Sequence, residues 1–259
     1  MRGRKKAYVL LLVGLLWLYG CGSPSPDSDV MADIGEESEL DLDISDLDSG
    51  EELVYERSLE LQYAENFKVD YYEGGYTLLT ITMDGTQFLI VPENGDVPQT
   101  LDKEIVVLRR PIKDIYLVAS SAMDIFSELD GLNSITFSGQ KEDGWFIEAA
   151  REEMQKGNIL YAGKYSKPDY ELLVSNHCAL AIENVMISHS PEVVENLENF
   201  GIPVMIDYSS YESHPLGRVE WVKFYGALLG KEEEAERIFT DQAAILERVS
   251  ASERTDKTV

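Results

Sequence analysis

The feature that most constrains the fold is an alternation of short apolar runs and amphipathic segments that begins after Pro111. The apolar runs predict strands at residues 115–119, 134–137, 159–162, 179–182 and 204–207. The segments between them predict helices at residues 123–129, 142–156, 168–175 and 191–200. Successive parallel strands need a crossover connection, which a helix supplies, so this repeat predicts a parallel sheet wrapped by helices. The fold class is therefore α/β.

A second β-rich region precedes this repeat. Its runs cover residues 68–72, 76–83 and 87–91. Gly74-Gly75 and Asp84-Gly85 separate these runs and are typical hairpin signals, so the region predicts a meander of two hairpins. The run 88–91 is continuously apolar, and we therefore expect part of this sheet to be covered on both faces.

The last part of the sequence reads as almost wholly helical. One helix is predicted for residues 216–229, ending at Gly230, and a long amphipathic helix runs from Glu232 to about Glu253. The apolar face of the long helix carries Ala235, Ile238, Phe239, Ala243, Leu246 and Val249. A helix of about twenty residues spans roughly 30 Å, the width of a small domain. Such a helix commonly connects two bodies.

The N-terminus has the features of an exported protein. Basic residues at positions 2, 4, 5 and 6 precede an apolar run over residues 7–19, which is short of the ~20 residues of a membrane-spanning helix. This pattern is typical of a cleaved signal peptide. Cys21, directly after Gly20, resembles the bacterial lipobox, which implies removal of residues 1–20 and lipid attachment at Cys21. The alternative is an ordinary secreted protein with a free Cys21.

An acidic segment follows the signal peptide. It contains thirteen Asp or Glu and no Lys or Arg between Asp27 and Glu56, and it accounts for half of the formal net charge of −26. We interpret residues 21–57 as a solvated, disordered tether. Nucleic-acid binding is not expected at this charge balance. The remaining chain divides into an α/β lobe with N-terminal hairpins over residues 58–229 and the long helix over residues 230–259.

Four segments, in this order, resemble a known family. They are GKYSKPDYELL at 163–173, ALAI at 179–182, ENFGIPV at 198–204 and YGALLGKEEEA at 225–235. Together they resemble the periplasmic binding proteins that serve ABC importers of iron–siderophore complexes, haem and cobalamin, over about residues 113–249. The resemblance implies two α/β lobes joined by one long helix, with the ligand between them and an ABC permease as partner. Since the second lobe would follow the long helix, we expect only the N-terminal lobe here.

Ligands of open parallel sheets bind outside the carboxyl ends of the strands, where loops and helix N-termini converge. This places the candidate ligand-binding residues in the loops after the first, third, fourth and last strands and in the helix that follows. They are Ser120, Ser121, Met123, Tyr165, Asn184, Met186, His189, Tyr208, Ser209, Tyr211, Glu212 and Arg218. Aromatic faces and hydroxyls suit a bulky ligand with a polar rim. The resemblance implies an iron complex, haem or a corrinoid.

Some of these residues have simpler interpretations. Ser120-Ser121 can serve as the N-cap of the next helix. His189 and His214 could ligate a metal, but each precedes a helix entry and lacks a close-spaced cluster of His, Asp and Glu, so we predict no metal site and no cofactor. Cys178 has no disulfide partner if Cys21 is lipidated, and we expect it in the core.

Two charged residues are candidates for recognition. Arg218 can pair with an anionic group of the ligand, or else with Glu212 or Glu220. Glu171 lies in the segment 168–171, which matches a Pro-x-x-Glu-like segment of the family, and the resemblance implies that it docks on arginines of the permease. The alternative for Glu171 is an exposed first-turn carboxylate stabilised by the helix dipole.

Catalysis is not predicted for this chain. No nucleophile with a base, metal cage or phosphate loop occurs at a recognisable spacing, so no catalytic residue is assigned. The leading hypothesis is a lipid-anchored solute-binding component on the extracytoplasmic face of the cell membrane. The alternative is a membrane-tethered interaction or sensor module that uses the same lobe without transport.

Overall fold

The computed structural model describes residues 53–251; Cys21, the signal peptide and most of the predicted tether lie outside these residues. The first sheet consists of β1 (Tyr55–Ser58), β2 (Phe67–Tyr72), β3 (Tyr76–Ile81), β4 (Gln87–Val91) and β5 (Val106–Arg109). Strands β1 to β4 pair antiparallel in chain order, which confirms the predicted hairpins, and β5 pairs parallel with β4. Residues 88–91 are fully buried, so β4 is covered on both faces as expected.

Two strands of this sheet were not predicted. β1 lies partly within the segment assigned to the tether, so the folded region begins before residue 58. β5 follows Asp102, Lys103 and Glu104 and is only four residues long, which leaves little periodic signal. Pairing with β4, which a short local pattern does not reveal, makes it a strand.

The second sheet is wholly parallel. Its strands are β6 (Ile115–Leu117), β7 (Ile135–Ser138), β8 (Leu160–Tyr161), β11 (Leu180–Asn184) and β12 (Val204–Asp207), in the order β12-β11-β6-β7-β8. Every neighbouring pair is parallel, which confirms the predicted α/β class. Between β8 and β11 the chain forms a small hairpin of β9 (Gly163–Lys164) and β10 (Lys167–Pro168).

The helices are α1 (Ser120–Glu128), α2 (Glu148–Gln155), α3 (Tyr170–Ser175), α4 (Pro191–Asn199), α5 (Pro215–Leu229) and α6 (Glu232–Ala251). The prediction that a helix begins at residue 142 was wrong, because residues Glu142–Gly144 form a separate 3-10 turn. α3 also begins later than predicted: Pro168 belongs to β10, and the Asp169 carboxylate caps the helix by accepting from Leu172 N at 3.0 Å.

Helices cover both faces of the parallel sheet. Along β11, Leu180 and Ile182 point into a large core formed with the first sheet, α1, α5 and α6. Ala181 points to a smaller core with residues of α3 and α4. Cys178 belongs to this smaller core, as predicted, and burial raises the pKa of its thiol to about 11.

The first half of α6 packs on α5. Ala235 and Phe239 are fully buried, and Gly226 of α5 lies so close that an added Cβ would stand 2.4 Å from the Cβ of Ala235. This half of the long helix predicted for residues 230–259 therefore packs on the lobe. Among the described residues, no helix is both long enough and apolar enough to cross a bilayer.

Candidate functional site

The strand order places a crevice in the middle of the parallel sheet. From β6 the chain adds β7 and β8 on one side, and it then returns to add β11 and β12 on the other. The order reverses between β6 and β11, and loops that leave the carboxyl ends of such strands diverge and leave room for a ligand. Ser120-Ser121 after β6 and Asn184 at the end of β11 lie at this point.

Both serines are exposed in the first turn of α1, and the N-cap position is Ala119, which has no capping side chain. The N-cap interpretation of Ser120-Ser121 is thus wrong. The Ser121 hydroxyl instead donates to Asp207 Oδ2 at 3.4 Å. Without a side-chain acceptor, the N-terminus of α1 presents a positive dipole end at the crevice.

Asp207 joins three elements at the end of β12. Its buried carboxylate accepts from Ser209 N at 2.8 Å and from the Tyr225 hydroxyl at 2.7 Å, in addition to Ser121. Burial, and secondly the charge of Asp207, raise the pKa of Tyr225 well above its ordinary value. The loops after β6 and β12 are therefore connected to each other and to α5.

Several predicted residues are accessible at this edge. Tyr211 is 58 % exposed and Met186 is 46 % exposed, and both His189 and Arg218 are exposed. Tyr165, Asn184 and Tyr208 are partly buried. The Asn184 side chain accepts from Met186 N at 2.9 Å, which holds the 3-10 turn Val185–His189 in place. Partial burial, and secondly the carboxylate of Asp84, raise the pKa of the Tyr208 hydroxyl.

Three predicted residues do not face solvent, and we correct their assignment. Met123 is fully buried in the large core, because it lies on the inner side of α1. Ser209 is 4 % exposed and its backbone is held by Asp207. Glu212 is 2 % exposed, and its carboxylate is used within the protein. None of the three belongs to the accessible edge.

Glu212 and Glu220 anchor the loop between β1 and β2. Glu212 accepts from the backbone N–H groups of Glu65 and Asn66. Glu220 accepts from the backbone N–H groups of residues 62–64 and pairs with Lys223 Nζ at 3.3 Å. Within residues 53–251, no ion pair joins Arg218 to either glutamate, so its guanidinium is left for solvent or a ligand.

The histidines show no metal-site geometry. His214 Nδ1 accepts from Leu216 N at 3.1 Å, so it caps α5, and its ring stacks on Tyr63 with centroids 4.5 Å apart. His189 ends an exposed turn. In the part of the chain that the structure describes, no group of three or more His, Cys, Asp or Glu is arranged to hold a metal ion.

Glu183 is a polar residue of this region that sequence reasoning missed. It lies next to the last residue of β11 with no exposed surface, and neither carboxylate oxygen has a hydrogen-bond partner. Desolvation raises its pKa to about 8. Burial, and secondly the charge of Glu183, raise the pKa of the nearby Tyr116. The available signal was an acidic residue at the end of the apolar run 179–182.

No protein-family model matches this chain. The uncharacterized lipoprotein MJ0878 of Methanocaldococcus jannaschii is 23 % identical over 238 residues, which cover 81 % of this chain and 56 % of the relative. The uncharacterized lipoprotein MJ0872 of the same organism is 28 % identical over 201 residues, which cover 73 % of this chain and 49 % of that relative. The chain spans about half the length of the curated relatives it matches.

Solved structures similar to part of this fold are periplasmic binding proteins. A haem-binding protein of Pseudomonas aeruginosa matches with a TM-score of 0.41 and 18 % identity, covering 53 % of this chain and 45 % of that protein. The haem-binding protein HutB of Vibrio cholerae matches with a TM-score of 0.44 and 15 % identity, covering 55 % and 51 %. The siderophore-binding protein BauB matches with a TM-score of 0.43 and 14 % identity, covering 53 % and 47 %. The chain is similar in sequence to two lipoproteins of Methanocaldococcus jannaschii and, over about half of its length, in fold to periplasmic binding proteins.

Proposed function

We propose that this chain is the solute-binding component of an ABC importer, and that its ligand is an iron complex, haem or a corrinoid. The observation that carries the proposal is the set of accessible side chains at the carboxyl edge of the parallel sheet. Two of the loops that carry them, those after β6 and β11, flank the point where the strand order reverses, which is the usual binding position in open α/β sheets. The binding role requires no catalytic residue.

The chemistry of this edge suits a large complex with anionic or polar oxygen atoms. The loops 118–121, 184–189 and 208–214 contain a single carboxylate, Glu212, and it is buried. The exposed groups are hydroxyls, a thioether, an imidazole and the guanidinium of Arg218. Although the chain has a net charge of −26, these three loops add no exposed carboxylate, so their hydroxyls and the Arg218 guanidinium are left to contact polar or anionic oxygen atoms. Asp84, from the turn between β3 and β4, places one exposed carboxylate beside Tyr208.

Membrane attachment is the second part of the proposal. Cys21 would carry lipid and hold the lobe on the extracytoplasmic face of the cell membrane, as the signal-peptide pattern predicts. The names of both curated relatives, which call them lipoproteins, support this. The lipid anchor is worth about 0.8 kcal/mol per buried methylene, so several chains on one cysteine retain the protein at the membrane.

Glu171 is proposed as a contact with the permease. It is exposed in the first turn of α3, and Asp169 caps the same helix, so two carboxylates stand at one helix N-terminus. Arginines of a partner can pair with such carboxylates, and charge pairs at the rim of an interface favour orientation and association rate.

Enclosure of the ligand by a second lobe also belongs to this proposal, because the matched relatives are about twice as long as the aligned region.

The proposal is tested by titrating the full chain with ferric siderophores, haem and cobalamin while recording tryptophan fluorescence and melting temperature. We expect saturable binding of at least one ligand, weakened roughly tenfold by Tyr211→Ala. Tyr55→Ala is the matched control, because Tyr55 is 55 % exposed but lies on β1 of the other sheet. A folded chain that responds to none of these ligands contradicts the proposal and favours the tethered interaction module.

A further inference from the structure

Two edge strands border one groove of the lobe. β5 is an end strand of the first sheet and β12 is an end strand of the parallel sheet, so within residues 53–251 each has a strand neighbour on one side only. The groove between them has a volume of about 550 Å³, and α4 and the turn between β3 and β4 complete its walls. We call it the β5–β12 groove. Its apolar lining consists of Val106, Val107, Val194, Pro203, Val204 and Ile206.

The outer edge of β5 is available for pairing with another strand. Along a strand, neighbouring residues direct their N–H and C=O groups to opposite sides. Arg110 N, directly after β5, donates to Val91 O of β4 at 2.9 Å, so Val107 directs its own groups away from β4. Val107 is also 38 % exposed. An edge of this kind, without a proline or a bulge, is a template for strand addition.

β12 contributes a second free edge to the same groove. Ala181 N of β11 donates to Pro203 O at 2.9 Å. By the same alternation, Val204 and Ile206 direct their N–H and C=O groups away from β11. Val107, Val204 and Ile206 all line the groove, so the residues whose backbone groups face outward are the ones that border it. An extended chain that enters the groove therefore displaces no strand of either sheet.

The charged residues of the β5–β12 groove are all acidic. Asp84 comes from the turn between β3 and β4, Glu104 precedes β5, and Glu198 belongs to α4. All three are exposed, and within residues 53–251 none of them forms a salt bridge. An apolar lining flanked by carboxylates is complementary to an extended segment in which apolar and basic residues alternate, because alternate side chains of a strand point to opposite faces.

The nearby cations do not cancel this charge. Lys103 is adjacent to Asp102 in the sequence, and the guanidinium of Arg109 donates to Pro92 O at 3.2 Å. The sign of the charge also selects the occupant. The acidic segment 27–56 of this chain and a second copy of the chain, with its net charge of −26, are both disfavoured by repulsion. A basic segment of another protein is favoured.

We propose that the β5–β12 groove is a docking site for an extended segment of a partner protein in which β-branched residues alternate with Lys or Arg. The segment adds a strand to the first sheet by pairing with the outer edge of β5 at Val107. Its apolar side chains contact Val194 and Ile206, and its cations face Glu104 and Glu198. This inference is independent of the ligand proposed for the carboxyl edge of the parallel sheet, and it goes beyond that function.

The probe is a fluorescently labelled peptide in which valine alternates with lysine, titrated with the full chain while anisotropy is recorded. A peptide in which valine alternates with glutamate is the charge control. The informative variant is Glu198→Lys. Glu192→Lys is its matched control, because Glu192 is exposed on the same helix, does not line the groove, and gives the same change in net charge. Both positions are exposed, so both variants should fold, which the melting temperature verifies.

A second pair of variants separates strand pairing from charge attraction. Val107→Pro removes one outward N–H group and leaves the bonds between β5 and β4 in place, because that N–H group does not take part in them. Val107→Thr keeps both the N–H group and the β-branched shape, so it is the matched control. Hydrogen exchange of the Val107 N–H group in the unmodified chain reports directly whether the peptide pairs with this edge.

We expect Glu198→Lys and Val107→Pro each to weaken binding of the lysine peptide about tenfold, and Glu192→Lys and Val107→Thr to change it less than twofold. The lysine peptide should slow exchange of the Val107 N–H group, and the glutamate peptide should not. Equal losses for Glu198→Lys and Glu192→Lys, binding without protection of Val107, or no binding by the unmodified chain would overturn the inference. Dimerisation of the chain that Val107→Pro abolishes would also overturn it, because a second copy would then occupy the groove.

Discussion

The indole Nε1 of Trp221 donates to Glu212 Oε1 at 2.9 Å, and both residues are buried. The same carboxylate accepts from the backbone N–H groups of Glu65 and Asn66, so α5 and the residues before it hold the loop that leads into β2. Glu212, a candidate ligand contact in the sequence, therefore uses its carboxylate to stabilise the fold.

Glu212→Ala leaves three donors without their acceptor, two of them backbone N–H groups. Removing the partner of a buried hydrogen-bonded carboxylate network costs roughly 3–5 kcal/mol. We expect a fall of this size in the free energy of unfolding, measured by urea denaturation with Trp221 fluorescence. The exposed Glu192→Ala serves as control and should change stability by less than about 0.5 kcal/mol. Equal effects of the two substitutions would contradict the anchoring role.

Glu183 makes the stability of the lobe depend on pH. Its pKa is about 8 in the folded protein against an ordinary 4.5, because burial disfavours the charged form. The folded state therefore keeps a proton that the unfolded chain has released, and stability falls as pH rises from about 4.5 to 8. Glu183→Met removes this group. The unfolding free energy of the variant minus that of the unmodified chain should therefore rise by on the order of 4 kcal/mol across that range.

The measurement is a series of denaturant titrations of both chains between pH 5 and 8.5. The difference between the two chains isolates Glu183 from the many other carboxylates. Glu195→Met on the surface of α4 is the control and should show no such growth. A difference that stays constant with pH would show that Glu183 is not protonated in the folded protein.

Gly163 is required by the β9–β10 hairpin. Its φ is +85°, and an added Cβ would stand 2.3 Å from the carbonyl oxygen of Lys167. Gly163→Ala should lower stability by roughly 2 kcal/mol or more, because both the backbone and the pairing must shift. Gly157→Ala is a close control, because the φ of Gly157 is +79° and nothing lies within 4 Å of the new Cβ. We expect this substitution to lower the unfolding free energy by only about 1 kcal/mol. Thermal unfolding distinguishes the two effects.

Gly226 allows α6 to approach α5. Gly226→Ala brings two Cβ atoms within 2.4 Å and should destabilise the fold by about 2 kcal/mol, despite the better helix propensity of alanine. Adding Ala235→Gly restores the space. The double variant should therefore lose less unfolding free energy than the two single variants lose together. Strict additivity in chemical denaturation would mean that the two helices separate without cost.

Much of the fold was predictable because its signals are local. Apolar runs mark the five parallel strands, and Gly201 and Gly230 end helices with φ of +77° and +73°, as their positions indicate. The start of α2 was not predictable from local sequence. The Trp145 indole donates a hydrogen bond to Ser138 of β7, and the helix begins only after this residue, at Glu148. β5 became a strand only by pairing with β4.

The structure separates the candidate site residues into accessible and buried ones, which the sequence does not. The rule that ligands bind at the carboxyl ends of parallel strands selects these loops as candidates, and Tyr211, Met186 and Arg218 have accessible side chains. The rule does not state which loop residues turn inward. Met123 and Glu212 turn inward, and Phe146, in a loop that was predicted to be helix, turns outward.

The sequence by itself determined the order of the parallel strands and of the helices between them, because these follow from hydrophobic period and from glycine and proline at fixed positions. Only the tertiary structure decided which polar groups are partners, because those partners are far apart in the chain. Glu212 and Glu65 are separated by 147 residues, and Ser121 and Asp207 by 86. The role of a buried carboxylate depends on donors that folding brings to it, and no local pattern contains them.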